Sequence, residues 1–60
     1  MNKRAFLQLI IDTNANPTVR QLMSVGVSEG NANEMIMRMN NRSTDAIVKS
    51  AKELLKKVGD

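Results

Sequence analysis

Cysteine, histidine, tryptophan and tyrosine are all missing from these 60 residues, and phenylalanine and proline occur once each. Without cysteine, neither a disulfide framework nor a thiolate metal site reinforces a small core, and a reducing cytoplasm is the compartment that fits. Without histidine or cysteine, the side chains most often used for general acid–base and nucleophilic chemistry are absent. The carboxylates are Asp12, Glu29, Glu34, Asp45, Glu53 and Asp60, spread over different segments. Glu29 and Glu34 lie five apart and so do not share a helical face. The acids therefore read as solvated surface groups. No zinc-type ligand set, calcium loop or phosphate-cradling glycine loop is present. A non-catalytic chain with no cofactor is expected.

Two further scarcities narrow the partners. A single Phe6 leaves no stacking platform of the kind that single-strand nucleic-acid binders use. No apolar run approaches the roughly 20 residues of a membrane span. The opening Met1-Asn2-Lys3-Arg4, followed by Ala5 to Ile11, has the basic-then-apolar order of a signal peptide. Gln8 interrupts that run and Asp12 ends it, so an amphipathic first helix is the preferred reading.

What the chain does have is helical periodicity and a mild positive charge. Nine Lys or Arg against six Asp or Glu give a formal net charge of +3, which favours anionic partners. Four helices are predicted, over about residues 3–13, 17–25, 29–40 and 44–58 of one small all-α domain. In the first, Phe6, Leu7, Leu9, Ile10 and Ile11 cover more than half of the circumference. Such a broad face buries more than one neighbour covers, and Phe6, Leu7 and Ile11 are candidate residues for a homodimer.

Asn14 to Pro17 breaks the chain, with Asn16 as the expected N-cap of the second helix and Pro17 at its first position. Val19, Leu22 and Met23 form that helix's apolar stripe, and Gly26 stands where a left-handed residue ends it. Val27 is placed to close the end apolarly. Ser28 caps the third helix, whose stripe is Ala32, Met35, Ile36 and Met39. Met37 falls off that stripe and should be exposed. Ser43 or Thr44 caps the last helix, whose buried stripe is Ile47, Ala51, Leu54, Leu55 and Val58, with Lys49, Lys52, Lys56 and Lys57 opposite and Gly59 at its end.

From Gln21 to Ile47 the order Gln21-Leu22-Met23-Ser24-Val25-Gly26-Val27-Ser28-Glu29, then Ala32, Met35-Ile36, Asn40-Asn41 and Ala46-Ile47, resembles a ubiquitin-associated (UBA-like) three-helix domain. The resemblance implies a trihelical centre and a protein partner met through the loop Val25-Gly26-Val27, where the family usually has Met-Gly-Phe or Met-Gly-Tyr. The same region also resembles the helix-turn-helix of LuxR-type regulators. That resemblance implies that helix three faces DNA, with Asn31, Asn33, Glu34, Arg38 and Arg42 near it. Asn can read adenine and Arg guanine in the major groove. Glu29 and Glu34 on that helix oppose phosphate contact, while Lys49, Lys52, Lys56 and Lys57 on the last helix are the candidates for contact with phosphates in this alternative.

Val25, Gly26, Val27 and Met37 are thus the candidate protein-binding residues, Met37 because methionine adapts to irregular partners. The expectation is a small regulatory or adaptor protein of four helices with a UBA-like or helix-turn-helix-like trihelical core. A protein partner ranks ahead of DNA, and a membrane surface ranks below both.

Overall fold

The computed structural model describes residues 2–58. They form four helices: α1 (Lys3–Asp12), α2 (Val19–Ser24), α3 (Glu29–Asn40) and α4 (Thr44–Lys57), with no strand among the described residues. No helix is long and apolar enough to cross a membrane.

Side-chain oxygens start every helix. Asn2 Oδ1 accepts from the Ala5 amide, Ser28 Oγ from Asn31 and Ser43 Oγ from Ala46, which satisfies first-turn N–H groups that have no intrahelical partner. At α2 the structure corrects the expected cap. Thr18, not Asn16, is the N-cap, and the helix begins at Val19 instead of Pro17. The reason is a reciprocal pair: the Gln21 amide donates to Thr18 Oγ1 over 3.1 Å, and the Thr18 amide donates to Gln21 Oε1 over 2.9 Å. Asn16 is held instead in the preceding turn, its amide donating to the Thr13 carbonyl over 3.1 Å.

That turn is sharp because two consecutive non-glycine residues, Asn14 (φ 54°) and Ala15 (φ 60°), take the left-handed conformation. The Ala15 amide reaches the Ile10 carbonyl over 2.7 Å and the Asn14 amide the Ile11 carbonyl over 3.1 Å, a Schellman ending for α1. The end of α2 repeats the pattern on the residue expected for it. Gly26, at φ 95°, donates to Met23 over 3.0 Å, and Val27 donates to Leu22 over 3.1 Å. Val27 turns its side chain inward, where it is 6% exposed. The expected end of α4 at Gly59 lies outside the described residues.

Packing divides the helices into two pairs, α1 with α4 and α2 with α3, joined through α1 and α2. One buried cluster is Leu7, Ile10 and Ala51, with Ile11, Met39, Ile47, Leu55 and Val58 against it. The other is Leu22, Val27 and Ala32, with Leu9, Val19, Val25, Met35 and Ile36 against it. Phe6 packs on both. The broad apolar face of α1 is therefore largely used within the chain. Leu7, offered above as a dimer residue, is 7% exposed in the first cluster, while Phe6 and Ile11 are half-buried. Two stripe residues expected in the core are instead half open to solvent, Met23 at 48% and Leu54 at 51%. Each lies at the margin of its stripe, where a single neighbouring helix does not reach.

Candidate protein-binding groove

Because α3 packs chiefly on α2 and α4 chiefly on α1, the two helices that share the short connector of residues 41–43 do not close on one another. Between them lies an open groove of about 380 Å³. Its floor is Phe6, Leu7 and Ile10 of α1. Met35 and Met39, with the stem of Arg38, form the α3 wall, and Arg42 lines the groove from the connector. Ile47, Ser50 and Leu54 line it from α4, on positions spaced as one helical face.

The groove suits an apolar ligand with an anionic side. Its lining is dominated by aliphatic and thioether side chains, and two of these are flexible methionines able to reshape around a partner. The charged residues that line it are Arg38 and Arg42, and no acidic residue is among the described residues of the lining. Arg38 is drawn partly away, donating to Glu34 over 2.8 Å one turn back on α3. Arg42 makes no ion pair among the described residues.

The residues singled out in the sequence fall elsewhere. Met37 is 68% exposed, as its place off the stripe requires, but it points away from the groove lining. Val25 is half-buried and Val27 is buried beneath the α2 ending, so the loop Val25-Gly26-Val27 offers little apolar surface. Asn31, Asn33, Arg38 and Arg42 are all exposed along α3 and its end, and Lys49, Lys52 and Lys56 are exposed on α4. Arg38 and Arg42 are therefore the residues of the DNA set that the fold brings to the groove. Of the stripe residues Met35, Met39, Ile47 and Leu54, the first three do pack against the buried clusters and Leu54 is exposed, but periodicity alone did not show that all four also line a groove. A signal was present in the adjacent Leu54 and Leu55, which broaden the α4 stripe beyond what one partner helix covers.

Among the described residues no three His, Cys, Asp or Glu side chains group as a metal site would need. No family model, curated protein or solved structure matches the chain.

Proposed function

We propose that this chain is a non-catalytic adaptor or regulatory module that works by holding an apolar helical segment of another protein in the groove between α3 and α4. The observation that carries the reading is Leu54: a large apolar side chain, 51% exposed, at the edge of a groove floored by Phe6, Leu7 and Ile10. Covering the exposed half of such a side chain contributes about 1 kcal/mol, and the neighbouring methionines add to it. An amphipathic helix laid into an apolar groove is a recurring mode of peptide recognition, anchored at i, i+3, i+4 and i+7. The resemblance of residues 21–47 to ubiquitin-associated domains supports the same class of function, and the lack of cysteine suits a cytoplasmic setting.

The test is selection of helical peptides from a displayed library on the immobilised chain, followed by methyl shift mapping of the winners. Binders with an i, i+3/i+4, i+7 apolar stripe that move the Met35, Met39 and Leu54 methyls, and that are lost in Leu54→Glu, support the reading. Failure to select any binder, or binders indifferent to Leu54→Glu, overturns it. A Met37→Glu variant serves as the control, since Met37 lies off the groove and its loss leaves groove binding intact.

A helix-turn-helix DNA-binding regulator is the second reading. It is favoured by one observation, a four-residue connection containing left-handed Gly26 that joins α2 to an α3 whose Asn31, Asn33 and Arg38 are open to solvent. A complex with a short random duplex at low salt that dissolves at high salt would move this reading to first place.

A further inference from the structure

The groove is not electrically neutral along its length, and the fold is the cause. Arg4, in the first turn of α1, donates to the Val58 carbonyl over 2.8 Å, so the start of α1 lies at the end of α4. Lys3 precedes Arg4 in the chain, and Lys56 and Lys57 stand in the last turn of α4; all three are exposed. None of these lysines makes an ion pair among the described residues. Glu53 is the carboxylate on the last turns of α4 that stands against them. Lys57, grouped in the sequence with the lysines opposite the stripe, differs from Lys52 and Lys56 in following Leu54 by three positions, so it continues the groove-side wall of α4 past the groove. Arg42 occupies the opposite end, at the connector.

We propose that the occupant of the groove is an acidic amphipathic helix of a partner protein. Its apolar stripe lies on Met35, Met39 and Leu54, and its carboxylates meet Arg42 at one end and Lys57 at the other. The inference rests on the groove reading above and adds the charge of the partner. Arg42 in the lining and Lys57 beyond its other end, with no acid among the described lining residues, attract such a segment during encounter and repel a basic one, whereas the apolar floor is indifferent to the partner's sign.

The experiment uses the full chain and three designed peptides of about sixteen residues, long enough to populate a helix. All carry the same Leu, Ile and Met stripe, and their outer positions are Glu, Gln or Lys. Binding is read by fluorescence anisotropy. The Glu peptide is expected to bind about tenfold more tightly than the Gln peptide at low salt, as a few rim ion pairs allow. That advantage should fade near 1 M salt, where the screening length is about 3 Å. A paired Arg42→Glu and Lys57→Glu variant should reverse the preference, binding the Lys peptide more tightly than the Glu peptide.

Equal binding of the Glu and Gln peptides overturns the acidic-partner inference and leaves the groove reading standing. Binding by none of the three removes both. Tight Glu-peptide binding that survives Leu54→Glu places the contact outside the groove and refutes the inference. A peptide-free dimer that dissociates in Leu54→Glu assigns the groove to a second copy of the chain, and refutes it as well.

Discussion

The guanidinium of Arg4 and the backbone carbonyl of Val58 meet over 2.8 Å, joining residues 54 positions apart. Val58 caps α4, where carbonyls lack intrahelical partners and the helix presents its negative end. One cation thus closes the helix, and its own helix is fixed antiparallel to α4, with Leu7 and Ile10 carried onto Ala51. Replacing Arg4 with Met keeps the aliphatic stem and removes the donor. Because the bond is exposed, Arg4→Met should lower stability by about 0.5–1 kcal/mol in urea titration, with a smaller loss at high salt. An unchanged midpoint at low salt would show that the contact adds nothing.

Phe6 belongs to both apolar clusters, so it mechanically links the α1–α4 pair to the α2–α3 pair. Phe6→Ala should cost about 3 kcal/mol, toward the lower end for a phenylalanine truncation because the ring is half-buried. Amide exchange is the decisive readout. Protection around Leu22 and Ala32 should fall together with that around Ile10 and Ala51, and loss confined to one cluster would show that the pairs are stabilised independently.

The α2 start separates two residues that look alike in sequence. Thr18→Ala breaks the reciprocal pair with Gln21 and should destabilise by about 1 kcal/mol, whereas Asn16→Ala, outside the cap, should fall within about 0.5 kcal/mol of the parent. Thermal unfolding followed by circular dichroism compares them directly. A larger effect at Asn16 would return the cap to the position expected from Pro17.

Two glycines should respond in opposite directions to the same substitution. Gly26 holds φ at 95°, so Gly26→Ala forces a side chain into the left-handed region at a cost of about 1–2 kcal/mol. Gly30 is helical and exposed, and a Cβ built there meets nothing within 4 Å, so Gly30→Ala should stabilise by about 0.4–1 kcal/mol. Denaturant midpoints for the two variants should therefore bracket that of the parent.

Much of the local structure was legible because it depends on near neighbours. Ser28 and Ser43 sit before helices as caps, Gly26 takes the left-handed position that ends α2, and Met37 is exposed because it falls off its stripe. The start of α2 was misread because Asn16-Pro17 and Thr18-Gln21 both carry starting signals. Only the side-chain reach of Gln21 back to Thr18 decides between them. The groove was not legible. Periodicity marks Leu54, Met35 and Met39 as apolar-face residues but says nothing about whether another helix lies over that face.

The sequence by itself determined that the chain is all-α, that Ser28 and Ser43 cap helices and Gly26 ends one, and that it carries no histidine or cysteine. These follow from 3.6-residue periodicity, capping chemistry and composition, all of which act over a few residues. Only the tertiary structure decided that α1 pairs with α4 and α2 with α3, and with that the groove between α3 and α4 and the meeting of Arg4 with the end of α4. The physical reason is that hydrophobic burial has no direction. It fixes which faces must be covered, and the choice of which helix covers each falls to the shape and reach of residues such as Phe6 and Arg4, far from their partners in sequence.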